Sequence, residues 1–473
     1  MMNNKIKGIS SLIAAILFHL LIGNLFSFPN FIPYYSSYLY HKNNGVETVT
    51  LSQLYFIAPI GIFVHNTLPT ITGFLDKKIG TRVMTIIATI SLIGSQLIIY
   101  FFIDYYLLII SYILFGVAGS LTYFQTLKNC WKYFPGKEGF ISGIIFSAFG
   151  LSSFIFTSIG DLIINKESIG RESNGFYSEE ISMKFLDYTK LFFLCVLIMG
   201  ILSSILCFTY EEEKTVENFE NGISLENEEE ETDQNQRDIN DKVKLVKKEK
   251  KELDDIESKL TLKENILSVE FVKCLSIAGC TLIFGFLLSN TYRNFGVQRN
   301  LDELGMQTLS KTFTMLNTFS RLAWGFICDK FGFKIPYVII CINQFICGVT
   351  IYYSSNNLVT YFIVVSLGVL SYAGHIILFP NLIKIKFGVD NSVIILGICG
   401  IFAGIACLMG PVLTSSLLQK REDYLIIYLI GVAPTIFSLL LTFFIKVKSK
   451  EPTHKDKSDK ERIIVELPLI KND

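Results

Sequence analysis

The sequence is short of charge and of the motifs that soluble enzymes use. Charged residues make up 18% of its 473 residues, hydrophobic residues make up 51%, and the mean hydropathy is +0.45. Residues 211–266 hold nineteen acidic and ten basic side chains, so the other stretches are poorer still in charge. Long apolar blocks between charged joints exclude a soluble globular protein and indicate a chain that crosses a membrane several times.

Sequence patterns of catalysis and metal binding are also missing. The ten cysteines lie almost entirely inside apolar blocks, without a C-x-x-C pair, so we expect small buried side chains rather than metal ligands or disulfides. We find no zinc-ligand spacing, nucleophile elbow, phosphate-binding loop or cofactor motif. An enzyme is therefore not expected, no cofactor or metal is implied, and nothing supports a nucleic-acid partner.

Twelve apolar blocks are each long enough to cross the ~30 Å hydrocarbon core of a bilayer as a helix. Only helices satisfy the backbone of such blocks in lipid, so we predict an all-α membrane protein. The first block is too long for the core of a signal peptide and has no small-residue cleavage site after it. The predicted spans are 9–28, 52–72, 83–102, 106–127, 139–159, 191–208, 269–289, 308–327, 335–353, 359–379, 393–417 and 424–445.

The spans fall into two groups of six around a charged insert. The insert begins acidic and poor in apolar residues, which indicates disorder. Asp241 to Asn265 has near-helical apolar spacing, which fits either an amphipathic helix or a solvated linker. Cations concentrate in alternate joints, and the positive-inside rule then places both termini and the insert in the cytoplasm. The predicted units are a six-helix half (1–209), a cytoplasmic linker (210–266), a second half (267–446) and a cytoplasmic tail (447–473).

Two joints repeat one pattern, G-F-L-D-K-K-I-G-T-R from Gly73 to Arg82 and G-F-I-C-D-K-F-G-F-K from Gly325 to Lys334. In each, a glycine allows close helix approach and precedes an acid, cations and a glycine turn. An acid here can lie at the N-terminus of a neighbouring helix, where the helix dipole favours it. We therefore predict two six-helix repeats with cytoplasmic gating by Asp76, Lys77, Arg82, Asp329 and Lys330.

Together with the six-plus-six layout, this repeated joint resembles the signature of the major facilitator superfamily, over almost all of the chain apart from the insert and tail. The resemblance implies a transporter with the major facilitator fold, in which twelve transmembrane helices form two six-helix halves. The first joint departs from the family pattern. When the two joints are aligned on their glycines, the acidic position holds Lys77, and Asp76 lies one residue early.

Two further stretches resemble one branch of that superfamily, the oxalate/formate antiporters and monocarboxylate transporters. W-K-Y-F-P-G-K-E-G runs from Trp131 to Gly139, and F-G-V-D-N begins at Phe387, before span 11. The resemblance implies an organic anion as the transported solute. The glycines and prolines of these stretches shape helix packing and do not by themselves identify a substrate.

Most span interiors carry no formal charge, and Arg321 is the exception. It lies eight residues before Asp329, hence ~12 Å from the cytoplasmic end of span 8 and close to the bilayer midplane. Inserting such an arginine costs on the order of 2.5–3.5 kcal/mol, so it needs a polar cavity or a partner. Its guanidinium suits a carboxylate. We predict an anion site between the halves, the alternative being an arginine that bonds carbonyls and locks the bundle.

The resemblance supports the anion site, because Arg321 matches the arginine with which the family holds a carboxylate, and Tyr123 matches a span-4 tyrosine. Three positions depart from the family. Asn317 replaces an acid one turn before the arginine, Asn30 replaces a lysine after the Phe-Pro pair of span 1, and Ala403 replaces the second cation of oxalate exchangers. These losses argue against a dianion and against the usual proton-coupled mechanism.

Three histidines lie inside spans and are candidate proton relays, although each is more often a packing residue. They are His19, His65 and His375, of which His375 is favoured because Tyr372 and Gly374 add a hydroxyl and a small residue beside it. The predicted substrate-binding set is therefore Arg321, Tyr123, Asn317, Asn30 and His375.

We predict a multi-pass transporter in the plasma membrane or an endomembrane that carries a small organic anion, most simply a monocarboxylate, by alternating access. The expected partners are this carboxylate, the lipid bilayer and, as a coupling ion, a proton or a counter-anion. Two alternatives stay open. One is a carrier of amino acids or other neutral or zwitterionic solutes, and the other is a non-transporting membrane sensor or scaffold.

Overall fold

The computed structural model describes residues 3–211 and 261–445, apart from 51, 52, 55, 103, 168 and 418–422. The acidic part of the insert, most of the proposed amphipathic helix and the tail after 445 lie outside the described residues. Within that part of the chain, the regular secondary structure is helical. The helices are α1 (Asn4–Ile22), α2 (Phe28–Lys42), α3 (Ile57–Thr67), α4 (Pro69–Phe101), α5 (Tyr105–Tyr133), α6 (Glu138–Ile164), α7 (Glu179–Leu206), α8 (Leu262–Ile266), α9 (Val269–Gln298), α10 (Glu303–Phe331), α11 (Lys334–Ser354), α12 (Leu358–Leu417) and α13 (Asp423–Phe444).

The predicted twelve-helix architecture is confirmed. Nine helices among the described residues are long and apolar enough to cross a membrane. One of them, α12, holds two crossings that meet at Gly388, where the backbone leaves the helical conformation. The less apolar α10 adds another crossing, and α3 adds the last by continuing into the part of α4 before Gly80.

Helix boundaries differ from the predicted spans where a helix extends beyond its apolar block. α7 begins at Glu179, twelve residues before the predicted span, because its first turns are polar and hydropathy detects only the apolar part. The first crossing is interrupted by a 3-10 turn at Gly23–Phe26 and then continues to Lys42. The apolar pattern did not predict this interruption, because the turn is as apolar as the helices on either side.

The internal repeat is visible in the backbone. Gly80 and Gly332, which the two joints align, both have positive φ, 79° and 73°. A second pair, Gly136 after α5 and Gly388 within α12, has φ of 81° and 76°. A Cβ strains this left-handed conformation, so glycine marks the same two turns in each half.

Each half has its own apolar core. The first half is packed around a large cluster that runs from Phe18 in α1 to Val196 in α7. The second half holds two clusters, one that includes Tyr337 and one that includes Phe295. A smaller cluster joins the halves, since it includes Trp131 and Phe146 of the first half and Ile377 of the second.

The halves meet closely at one end of the bundle, the end with the Gly80 and Gly332 turns, which we call the latch end. The Asp329 carboxylate accepts hydrogen bonds from the backbone N–H groups of Gly139 (2.8 Å) and Phe140 (2.7 Å) at the N-terminus of α6. A Cβ on Gly325 would lie 2.2 Å from the carbonyl oxygen of Gly139, so only glycine permits this approach. The carboxylate thus provides acceptors for N–H groups that are free at the start of α6. The positive end of the helix dipole stabilises its negative charge.

The first joint is built differently from the second. Asp76 is buried, pairs with Lys128 of α5 and accepts a hydrogen bond from Thr81 (2.8 Å). These contacts lie within the first half, so Asp76 does not cap a helix of the second half as Asp329 caps α6. Lys77 reaches the second half instead, where its ammonium donates to the side-chain oxygen of Asn391 (2.9 Å).

Two other predicted gating residues make contacts that the sequence did not indicate. The guanidinium of Arg82 lies 5.4 Å from the ring centre of Phe208 in its own half, and the ammonium of Lys330 lies 5.3 Å from that of Phe331. Among the described residues, two ion pairs that join the halves involve residues outside the predicted gating set. They are Lys132 with Asp390 (2.7 Å) and Lys384 with Glu138.

Replacing Asp329 with Asn should loosen the latch end, because the carboxylate uses one oxygen for each N–H group, whereas the uncharged amide has one acceptor oxygen and places an NH2 donor against the other N–H. The loss, about 1.5–3 kcal/mol, corresponds to a shift of about tenfold or more toward the open latch. The measurement is labelling from the latch side, by an impermeant maleimide, of a single cysteine placed at Ser153 in the cavity wall of a cysteine-free protein. Asp187→Asn, which removes an exposed acid on α7, is the control, and equal labelling of both variants would contradict the assignment.

Candidate binding site between the two halves

A cavity of about 280 Å³ lies between the two halves, lined by the middle portions of their helices. The first half contributes residues of α3, α5 and α6, and the second half contributes residues of α9, α10 and α12. Ligand pockets in proteins generally measure about 300–1,000 Å³, so this cavity, just below that range, has room for a small solute and not for a large one.

Arg321 of α10 is 4% exposed and faces this cavity. Its Nη1 donates to the carbonyl oxygen of Phe146 in the other half (2.7 Å), and its Nη2 donates to the side-chain oxygen of Asn317 (3.3 Å). Its Nε has no hydrogen-bond partner. No acidic residue occurs among the described residues that line the cavity. The carbonyl contact matches the locking role considered above, but neither acceptor carries a formal charge, so the arginine's charge stays uncompensated.

Aromatic rings form much of the remaining wall. In the first half, the ring of Phe149 lies 5.5 Å from that of Phe26 and 5.1 Å from that of Tyr123, centre to centre. In the second half, the rings of Phe286 and Tyr372 lie 5.7 Å apart. These rings pack edge to face or tilted, a stable arrangement that fixes an apolar wall beside the arginine.

A pair of histidines lies beside Tyr123 in the first half. The ring of His65 in α3 lies 4.9 Å from that of Tyr123, and the ring of His19 in α1 lies 5.3 Å from it. His65 lines the cavity, and its Nδ1 is buried without a hydrogen-bond partner. It fits there because position 119 is glycine, where a Cβ would lie 2.1 Å from the His65 Nδ1.

His375 of α12 lies on the opposite wall and is held by a polar network. Its Nε2 is 2.7 Å from the side-chain oxygen of Gln344. The amide nitrogen of Gln344 donates to Thr435 (2.7 Å) and to the carbonyl of Thr281 (3.2 Å). Since that amide group donates elsewhere, its oxygen is the acceptor, and His375 donates from Nε2.

The structure brings four of the five predicted binding residues to one cavity, namely Tyr123, Asn317, Arg321 and His375. Asn30 is not among the lining residues. It is exposed on α2 and donates to the hydroxyl of Thr157 (3.1 Å). The 3-10 turn before α2 changes the rotation per residue, so the side of α2 that faces the cavity differs from that of an unbroken helix.

Sequence reasoning missed the carbonyl of Phe146 and the aromatic wall, and it ranked His65 below His375. The sequence signal that could have indicated these contacts was the position of glycines opposite the large polar side chains. A Cβ at Gly150 would lie 3.2 Å from Nη1 of Arg321, as a Cβ at Gly119 would crowd His65.

Comparison with known proteins gives a consistent result. Residues 12–411 match the family model described as Major Facilitator Superfamily. Solved structures with this fold include the Escherichia coli fucose:proton symporter FucP as a variant (TM-score 0.62, 10% identity, covering 95% of this chain and 100% of that chain). FucP in the outward conformation gives a TM-score of 0.63, at 10% identity and with 95% and 100% covered. The proton:xylose symporter XylE bound to 6-bromo-6-deoxy-D-glucose gives 0.60, at 13% identity and with 92% and 96% covered. At these identities the likeness is one of fold, and no curated protein matches the sequence.

Replacing Gly119 with Ala should destabilise the first half, because the added Cβ meets the His65 ring at 2.1 Å. Overpacking of this kind costs about 1–3 kcal/mol. The measurement is the thermal transition of the purified protein, expected at a lower temperature than in the wild type. Gly279→Ala is the matched control, since a Cβ there meets nothing within 4 Å. A Gly119→Ala protein as stable as this control would show that the His65 ring is not confined.

Proposed function

This chain belongs to the major facilitator superfamily of membrane transporters, and from that premise we propose that it carries a small organic monoanion with one carboxylate. The observation that carries the proposal is Arg321, buried in the cavity between the halves with an unpaired Nε and no acidic neighbour among the described lining residues. A buried charge is costly unless it is paired. A carboxylate would accept from the free guanidinium N–H groups and supply the missing charge.

The number of cations in the cavity argues for a monoanion. Ala403 lines the same cavity and is uncharged. It stands at the position where the oxalate exchangers carry their second cation. Arg321 is the one lining residue of the described chain with a permanent charge. A dianion would leave one negative charge without a cation in the cavity, which is unfavourable.

The cavity wall argues for a solute with an apolar body. A formate ion would fill a small part of about 280 Å³ and would contact few of the rings that line it. A carboxylate with an alkyl or aryl group, such as a 2-oxo acid, would occupy the wall formed by Phe149, Phe286 and their neighbours. An amino acid also fits, because the amide nitrogen of Asn66 donates to the carbonyl of Ile62 and leaves its oxygen for an ammonium group.

Transport would proceed by alternating access, with the two halves rocking about this cavity. The contacts of Asp329 with α6 and the ion pairs of Lys132 and Lys384 hold the latch end closed. Opening that end breaks these contacts and exposes the solute on the latch side. The residues that hold the solute and those that close the latch therefore belong to the same inter-half surface.

A neutral sugar is the second candidate. The aromatic wall favours it, since aromatic rings also pack against sugar faces, and the fold neighbours FucP and XylE are named as fucose and xylose symporters. In that case Arg321 would serve mainly to join the halves through the carbonyl of Phe146.

Replacing Arg321 with Gln should reduce carboxylate uptake at least about tenfold, because hydrogen bonds to a charged group are worth about 1.5–3 kcal/mol. Arg321→Lys keeps the charge but loses the planar fork, so it should transport at an intermediate rate. The measurement is initial uptake into proteoliposomes of purified protein at matched reconstitution. Arg293→Gln is the control, because Arg293 is exposed on α9 and does not line the cavity. Full uptake by the Arg321→Gln protein would remove the site assignment.

Uptake and competition separate the candidates. Radiolabelled pyruvate, lactate, formate, oxalate and amino acids, together with fucose and xylose, are offered to the same proteoliposomes. Competition among monocarboxylates, with no effect of sugars, supports the proposal. Transport of neutral solutes alone would support the second candidate, and flux of none of them would favour a sensor or scaffold.

A further inference from the structure

The three histidines within the spans differ in their hydrogen bonds. Nδ1 of His19 is 2.8 Å from the carbonyl oxygen of Ala15 and therefore donates to it. His375 donates from Nε2 to Gln344. His65 has no hydrogen bond from either ring nitrogen within the described part of the chain, and its buried Nδ1 is without a partner. Its N–H group and its lone pair are both free for a ligand or a proton.

His65 faces the same cavity as Arg321. Two residues of α6 connect the two side chains. The ring of Phe149 stacks at 5.9 Å from that of His65, and the next residue, Gly150, lies against the guanidinium. The titratable and charged groups around His65 are His19 from α1, Tyr123 from α5, Arg321 from α10, and Tyr372, His375 and Cys399 from α12.

None of these groups is a carboxylic acid, so the described lining of an empty cavity offers no carboxylate as counter-ion to a protonated His65. The positive charge of Arg321 across the cavity further disfavours an imidazolium. Entry of a carboxylate makes protonation of His65 more favourable. The anion compensates the charge of Arg321 and attracts the positive charge of an imidazolium at His65. By thermodynamic linkage, the anion then favours protonation of His65 to the same degree that protonation favours binding of the anion.

We propose that His65 is the proton-coupling residue, so that one proton is carried with each monocarboxylate. This inference rests on the function proposed above. A ring nitrogen of His65 takes a proton from water on the side where the cavity is open, while the carboxylate binds at Arg321. After the halves rock, the anion leaves, and the proton passes from His65 to water on the other side. The transported pair is neutral overall, so transport does not respond to the membrane potential.

Such a site explains how proton coupling could persist without the acid that the resembling carriers place one turn before the arginine. That position is Asn317, which donates no proton at neutral pH and instead accepts from Arg321. The proposed proton site lies on α3, in the half opposite to the arginine. A site split between halves keeps proton and anion on separate walls of one cavity.

The test uses full-length protein in proteoliposomes with pyruvate and phenylpyruvate as probes. An inward proton gradient should accelerate uptake by wild type about tenfold, within the usual range of coupling between two sites. His65→Gln and His65→Asn should lose this acceleration but still exchange pyruvate at equal pH on both sides, at a lower rate than wild type because the protonated ring no longer favours the anion. An imposed membrane potential should leave wild-type uptake unchanged. His41→Gln is the matched control and should keep the acceleration. His41 lies on α2, away from the cavity, where its ring contacts the carbonyl oxygen of Tyr177.

The outcomes are distinct. Acceleration by the proton gradient in both His65 variants would overturn the proton site while leaving carboxylate transport in place. Loss of exchange in both variants would also overturn it, since His65 would then be needed for binding or packing rather than for the proton. Absence of pyruvate and phenylpyruvate transport in wild type would instead reject the proposed function itself. Loss of acceleration in His375→Gln but not in the His65 variants would move the proton to the second half.

Discussion

The close approach of α6 and α10 is the contact on which the rest of this structure depends. Glycines at positions 139 and 325 bring the two helices together at the latch end, and Asp329 caps α6 there. Farther along the same pair, the hydroxyl of Ser147 donates to the carbonyl of Thr318 (2.8 Å). Between these two points the pair lines the cavity, where Arg321 meets the carbonyl of Phe146. One helix pair therefore carries both the closure and the charged group of the site.

This arrangement gives a physical basis for coupling between the site and the latch. In lipid, a backbone or side-chain polar group must find its partner inside the protein, so polar contacts concentrate where the halves meet. An anion at Arg321 would compete with the Phe146 carbonyl for the guanidinium. Any change in that contact acts on α6, whose N-terminus is held by Asp329. A ligand that binds differently when the two helices are together and when they are apart would therefore bias the latch as well.

The two joints show how a repeated sequence can fold into unequal contacts. The second joint makes its bond across the halves, whereas Asp76 in the first is paired with Lys128 inside its own half. A shift of the acid by one residue turns a helical side chain by about 100°, since there are about 3.6 residues per turn. That rotation takes the carboxylate away from the opposite half. The side chain of Lys77 then points toward the second half, where its ammonium donates to the side-chain oxygen of Asn391.

The sequence by itself determined the features that depend on local pattern. Twelve apolar blocks, the six-plus-six grouping, the paired glycine turns and the placement of Arg321 near the middle of a span all follow from hydropathy, spacing and helix geometry. Tertiary structure decided which side chains meet. Contacts between segments far apart in the chain decide three features: the pairing of Asp76 with Lys128, the position of Asn30 outside the cavity, and the lack of a hydrogen bond to Nδ1 of His65 within the described residues. Hydropathy reports whether a residue is buried in protein or lipid, but the direction in which its polar atoms point is set by helix rotation and packing.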